Sequence, residues 1–218
     1  MNQLIKNFLK EEKERKRLYD FHKQERELKD DYPILVGVDE AGRGPLAGPV
    51  YAACVCLPTG IFINGLNDSK KMSEEKRNLI ATEIKEQALF YTYGYSSVKE
   101  IDNLNILNAT MLAMSRAMAK CPVVPDYCLV DGNLLPEAMN CNGKAVVKGD
   151  LLMPSIAAAS ILAKTKRDEI MTFIHKTVPE YAFDKHKGYG TKAHYEALEA
   201  YGQSLFHRET FLKRFKQK

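Results

Sequence analysis

Five short apolar runs punctuate the chain. Ile34-Leu35-Val36-Gly37-Val38 stops at two adjacent carboxylates, Asp39 and Glu40. A glycine-rich stretch follows (Ala41-Gly42-Arg43-Gly44-Pro45-Leu46-Ala47-Gly48), and a second apolar run, Val50 to Leu57, begins after Pro49. Apolar runs of this length bounded by turn residues predict buried strands, so this region reads as two strands joined by a tight loop. Phe90-Tyr91-Thr92-Tyr93-Gly94-Tyr95 alternates aromatic and small residues and predicts a third strand. Tyr127-Cys128-Leu129-Val130-Asp131 predicts a fourth, and Ala145-Val146-Val147 a fifth, followed by a turn at Lys148-Gly149 and then Asp150.

Helical periodicity occupies most of the rest. Residues 1–30 carry mixed charge, with Leu4, Phe8, Leu18, Phe21 and Leu28 loosely at helical spacing, and predict one or two amphipathic helices outside the main core. Ser73, with Glu74 and Glu75 behind it, caps a helix to about Leu89. Ile101, Leu104, Leu107, Met111, Leu112, Ser115 and Met118 mark an amphipathic helix whose methionines read as core filler. Asn105, Asn108 and Thr110 on it could reach a ligand. A long helix from Pro154 to Lys176 carries a run of small residues suited to close packing on a sheet. Asp168 and Glu169, beside Lys164, Lys166 and Arg167, read as its surface ion pairs. Thr191 caps a last helix through Tyr201 with Gly202 as its stop, and Phe211, Leu212 and Phe215 suggest a docked terminal helix.

Composition narrows this only modestly. With 218 residues, 45% hydrophobic and 28% charged, the chain suits one large globular domain or a domain with an appendage. A net charge of +4 is weak evidence for a polyanion partner, but from Lys185 onward eight Lys/Arg face three Glu, which suits a phosphate backbone as well as a solvated helix. Five cysteines without CxxC spacing read as reduced core thiols. The first residues lead into charge rather than an apolar core of a secretory leader, and no apolar run is long enough for a bilayer, so a cytoplasmic protein is expected.

The chemistry lies at the strand ends. An aspartate after a strand is often only turn chemistry. Three such endings, at Asp39-Glu40, Asp131 and Asp150, would bring like charges to one sheet edge, where they need a cation. Gly42-Arg43-Gly44 is no dinucleotide-binding turn: that motif must open a helix, and the residues after Gly44 favour a strand. Lys70 and Lys71, in the polar loop Asn67-Asp68-Ser69-Lys70-Lys71, become phosphate contacts only if the loop faces the site. In His186-Lys187-Gly188-Tyr189-Gly190-Thr191, flanking glycines hold Tyr189 in an exposed turn, able to stack or hydrogen-bond.

These motifs together resemble the bacterial type 2 ribonucleases H, the ribonuclease HII family. The resemblance rests on Gly37 through Val50, Asp68-Ser69-Lys70-Lys71, Val130-Asp131-Gly132, Lys148-Gly149-Asp150, Ser155-Ile156-Ala157-Ala158-Ala159-Ser160-Ile161 and His186 through Thr191, in the family's order from about residue 33 to 215. It implies an α/β ribonuclease H-like fold: a mixed five-stranded sheet flanked by helices, with a C-terminal helical segment that helps form the substrate groove. Residues 1–30 would be a charged helical extension and 31–218 the catalytic domain. It implies an endonuclease that cuts the RNA strand of RNA–DNA hybrids and cuts 5′ to ribonucleotides embedded in duplex DNA, using Mg²⁺ or Mn²⁺ and acting as a monomer. Carried over by motif, Asp39, Glu40, Asp131 and Asp150 would be the catalytic, metal-binding carboxylates. Gly42, Arg43, Gly44 and Tyr189 would recognise the 2′-hydroxyl, with Lys70 and Lys71 near the substrate backbone. The rival reading is a non-catalytic nucleic-acid binding module using the basic tail, for which four clustered acids would be a handicap. A nicotinamide-dependent oxidoreductase fails on the missing helix after Gly44.

Overall fold

Strand β1 (Leu35–Ala41) is the middle of one mixed sheet of order β3-β2-β1-β4-β5. It pairs antiparallel with β2 (Val50–Cys56), which pairs antiparallel with β3 (Phe90–Ser96). On its other side it runs parallel to β4 (Tyr127–Asp131), and β4 parallel to β5 (Asn142–Val146). The structure, a computed structural model, describes residues 3–66 and 72–213. This is the mixed five-stranded sheet expected.

Helix α1 (Gln3–Asp31) precedes β1, α2 (Glu74–Gln87) lies between β2 and β3, and α3 (Val98–Met118) between β3 and β4. After β5 come a single turn, α4 (Gly149–Leu152), then α5 (Pro154–Thr177), α6 (Phe183–His186) and α7 (Lys192–Tyr201). Alternation along each strand splits the core in two. Val36, Val38, Ala52, Cys54 and Val130 pack against α3, whereas Ala53, Val55 and the Ala157–Ala163 run of α5 fill the opposite face with α2. Gly37 explains how close α5 comes: a Cβ there would meet the Ser155 backbone at 2.1 Å. A third cluster joins Met171 and Ile174 of α5 to Tyr181, Phe183, Leu198, Leu212 and Ala47, forming the C-terminal lobe.

Local chemistry sets the element ends. Ser73 accepts from the Lys76 amide, Ser97 and Glu100 complete a reciprocal capping box, and Thr191 accepts from His194. Asn105 interrupts α3 at φ 67°, and its Oδ1 takes the amides of Leu107 and Asn108, restarting the helix. Thr110 is fully buried and bonded to Ile106 O, so it cannot reach a ligand as the sequence suggested. Asp168 also differs from expectation: it is buried, taking Nη2 of Arg77 at 3.0 Å and Nζ of Lys164 at 2.5 Å, and so ties α2 to α5. Glu169 does pair at the surface, with Lys166. Of the terminal helix expected over Phe211, Leu212 and Phe215, the described residues hold only a 3-10 turn at Glu209–Phe211; Phe215 lies outside them.

The described part of the charged N-terminal segment is one helix, Gln3–Asp31, and its second half is not outside the core. Phe21 joins the α5-side cluster, and His22, Glu25 and Lys29 are buried. Glu25 Oε2 accepts from both the amide and the hydroxyl of Ser155, at 2.8 and 2.9 Å, capping a helix that begins on proline and has no cap of its own. Lys29 Nζ, 3.4 Å from Glu25 Oε1, also donates to Leu57 O. Truncating one member of such a buried pair strands the other charge. Glu25→Ala is expected to lose roughly 3 kcal/mol of stability and roughly 6–12 °C of Tm, read by calorimetry; a change within 1–2 °C would show that the helix merely rests on the domain.

Candidate active site at the sheet edge

Parallel register does the first part of the assembly. Val38 sits beside Val130, so the next residues along, Asp39 and Asp131, stand side by side on adjacent strands. Asp131 ends β4, whereas Asp39 and Glu40 lie within β1, still paired with β2, rather than at its end as the sequence suggested. Alternation turns Asp39 and Asp131 away from the α3 side and toward α5, where Ser160 hydrogen-bonds Asp39. Asp39 Oδ1 also accepts from the Glu40 amide at 2.7 Å. Glu40, one residue on, pairs with the exposed guanidinium of Arg43 at 3.4 Å. The chain crosses from β5 to α4 through Lys148 in the left-handed region, and the Gly149 amide donates to Asp131 Oδ1 at 2.7 Å. Buried Asp150 follows immediately, so it sits in the first turn of α4 rather than on a strand end.

Burial and mutual repulsion dominate the electrostatics of Asp39 and Glu40. Burial pushes the Asp39 carboxyl well above the usual carboxylate range, the charges of Glu40 and Asp131 push it further, and the bonds from Ser160 and the Glu40 amide oppose them. Glu40 is raised by burial and by Asp131, against the pull of Arg43. The donors are hard carboxylate oxygens, which suit Mg²⁺ or Mn²⁺ rather than a soft metal. Among the described residues no group of three or more His, Cys, Asp or Glu side chains is gathered closely enough to hold a metal ion as it stands.

Beside the acids, the segment from Gly42 to Pro49 is laced to two C-terminal segments. Leu46 N donates to Gly188 O, Gly48 N to Phe206 O and Arg208 N to Leu46 O, each at 2.8 Å. This brings Tyr189, 43% exposed, to the loop, with its ring 3.8 Å from where a Gly44 Cβ would stand. Gly42 and Gly44 turn out to differ. Gly42 has φ +100°, and a Cβ there would strike Arg167 Nε at 2.1 Å; Gly44 meets nothing closer than Tyr189. Lys70 and Lys71 lie outside the described residues.

Sequence reasoning missed the supports of this loop. Arg167, read as a surface cation, is fully buried, as is Arg208, counted with the basic tail. A chain of three histidines was also missed. His186 donates Nε2–H to Tyr181 O and accepts the Gly188 amide at Nδ1; His194 donates Nδ1–H to Tyr189 O. His194 Nε2 then accepts from His207 Nε2, whose Nδ1 accepts the Ser204 amide at 3.0 Å. Every acceptor nitrogen here must lack a proton, so the loop carrying Tyr189 rests on neutral imidazoles. Only the positions of these histidines around Gly188-Tyr189-Gly190 hinted at this.

With that geometry in hand, comparison with known proteins is decisive. The profile of the family described as Ribonuclease HII matches residues 36–215, so this chain belongs to the ribonuclease HII family. It is therefore a nuclease of the ribonuclease H class, acting on RNA–DNA hybrids. A ribonuclease HII of Dechloromonas aromatica is 55% identical over 178 residues, covering 82% of this chain and 90% of that protein. In fold, it is similar to the ribonuclease H2 of Pyrococcus horikoshii (TM-score 0.68, 22% identity, 84% of this chain and 99% of that one). It is also similar to a Bst-RNase HIII solved with Mn²⁺ (TM-score 0.65, 19% identity, 84% and 68%). Among the described residues no helix is long and apolar enough to cross a membrane.

Two outcomes follow. Gly42→Ala is expected to cost roughly 3 kcal/mol, from the clash and the unfavourable φ, whereas Gly44→Ala should keep wild-type Tm and lose substrate affinity; equal losses of stability in both variants would contradict this distinction. Burial, followed by the neighbouring His194, drives the His207 pKa from 6.5 down to about 4. The unfolded chain therefore binds more protons between those values, and this contribution to stability is intact above pH 6.5 and lost as pH falls through about 4. Tm measured against pH should show that slope in the wild type, and His207→Gln should flatten it.

Proposed function

We propose that the chain is an endoribonuclease that cuts the RNA strand of RNA–DNA hybrids and cuts 5′ to ribonucleotides embedded in duplex DNA, leaving 5′-phosphate and 3′-hydroxyl ends and so supporting removal of ribonucleotides from DNA. The observation that carries the reading is that Asp39 and Asp131 stand side by side on neighbouring strands with Glu40 within range of their charge, burial and mutual repulsion raising both Asp39 and Glu40. Asp39, Glu40, Asp131 and Asp150 would hold two divalent ions, Mg²⁺ or Mn²⁺. When bound, such ions acidify an attacking water and neutralise charge on the phosphoryl and departing 3′ oxygens. Asp39 and Asp131, on neighbouring strands, are the central pair, with Ser160 and the Gly149 amide fixing their orientation.

Choice of substrate falls to the neighbouring loop. The 2′-hydroxyl is what tells RNA from DNA at a given nucleotide, and it both donates and accepts. Gly44 leaves the loop backbone open to close approach, and Tyr189 beside it offers a ring face to the sugar. Arg43, half-exposed, is placed for a phosphate once substrate charge competes with Glu40. Lys70 and Lys71 complete the proposed substrate contacts. The working species is a cytoplasmic monomer, a setting that suits five free thiols.

The test is Asp131→Asn on a DNA duplex bearing one ribonucleotide. Cutting is expected to fall by about three orders of magnitude or more, with duplex affinity in Ca²⁺ within a few-fold of wild type. Metal-independent cutting by the wild type, or binding without any metal-dependent cutting, would favour the binding-module reading instead.

A further inference from the structure

Arg167 and Arg208 are both fully buried and within reach of each other's charge, and among the described residues neither forms a salt bridge. Their hydrogen bonds all go to backbone carbonyls. Arg208 donates Nη2 to Gly42 O at 2.6 Å, Nη1 to Arg43 O at 2.9 Å and Nε to Gly48 O at 2.9 Å. Arg167 donates Nε to Pro49 O at 3.0 Å, Nη2 to Ala47 O at 3.1 Å and Nη1 to Lys187 O at 3.0 Å. Its guanidinium also lies 5.9 Å from the centre of the Tyr189 ring. Six carbonyls, from both ends of the Gly42–Pro49 segment and from the turn before Tyr189, thus converge on two planar cations.

A buried unpaired guanidinium is costly, and two side by side more so. Burial pushes Arg208 down to about 9 and Arg167 to about 10, yet both stay charged at neutral pH. Simple packing does not call for such an arrangement, since an apolar residue would fill the same space at lower cost. What only a guanidinium supplies is a rigid fork of donors at fixed angles. Peptide planarity then transmits the constraint: with the carbonyls of Gly42 and Arg43 turned inward onto Arg208, the amides of Arg43 and Gly44 in the same peptide units must point outward. Among the described residues neither of those amides donates to a protein acceptor.

We infer that Arg208, with Arg167 behind it, is a positioning residue for substrate discrimination: it aims the Arg43 and Gly44 amides at the groove and sets their distance to Tyr189. The inference rests on the proposal that this loop reads the ribonucleotide. Arg208 touches no substrate. It acts by removing the loop's freedom to rotate its peptide planes, and so spares the loop an ordering cost on binding.

Arg208→Lys keeps the charge but cannot reach three carbonyls. The measurement is the ratio of affinities, in Ca²⁺, for a duplex with one ribonucleotide and for the all-DNA duplex, with Tm recorded alongside. A fall in that ratio of about tenfold is expected, together with a fall in kcat of about 10–100-fold on the ribonucleotide substrate in Mg²⁺. Glu25→Gln, remote from the loop, serves as the comparison: it should lower Tm without moving the ratio. Loss of Tm in Arg208→Lys with the wild-type ratio retained would overturn the inference and leave the loop's proposed role intact. A wild-type ratio near one would sink that role, and the inference with it. Should Arg208→Lys fail to fold, Phe211→Ala removes the ring 5.1 Å from the guanidinium and should lower the ratio by less; an unchanged ratio there would also overturn the inference.

Discussion

The parallel pairing of β1 with β4 is the constraint on which the site depends. A slip of one residue would turn Asp39 or Asp131 to the opposite face and separate the acids. The register is held by the two cores that sandwich it: Val38 and Val130 beneath α3, Leu35 and Leu129 on the other side with Ile156 of α5. Gly37 lets α5 approach β1 within backbone contact, and Glu25 caps the end of α5 that makes this approach. A contact some distance from the chemistry therefore helps decide where Ser160 meets Asp39.

Charge is arranged in two layers across the site. In front, carboxylates crowd one another and are pushed toward their protonated forms by burial and mutual repulsion. Behind the adjacent loop, two buried guanidiniums are held by carbonyls, with no direct salt bridge among the described residues. Neither layer is economical for a protein that only had to fold. Both suit the proposed groove for a polyanionic substrate, where carboxylate ligands would need metal and a loop rigid in advance would avoid an ordering cost on binding.

Much of this was legible from residue order. The five strands follow from apolar runs bounded by turn residues, and the acids stand out because buried strands rarely end in pairs of charges. The supports were not legible, for a physical reason: an arginine that hydrogen-bonds carbonyls looks in sequence like any solvated arginine. Arg167 sits in a run of charges on a helix, and Arg208 in a basic tail; only long-range packing tells them from Lys166 or Lys213. Asp168 was misread as a surface partner for the same reason, because its partner Arg77 lies 91 residues away. Asp150 was recognised as an acid after a turn, but the single helical turn that carries it has no periodicity to detect.

The 166-residue separation between Gly42 and Arg208 has a consequence for synthesis. A ribosome releases β1 and its acids early, whereas the residue that orients the adjoining loop emerges only after the whole sheet and α5. On the proposed reading, a growing chain acquires the first of its carboxylates well before it acquires selectivity, and docking of the last lobe would decide when the enzyme can tell one sugar from another. Nascent molecules would then be set apart from the finished enzyme by one late-arriving guanidinium.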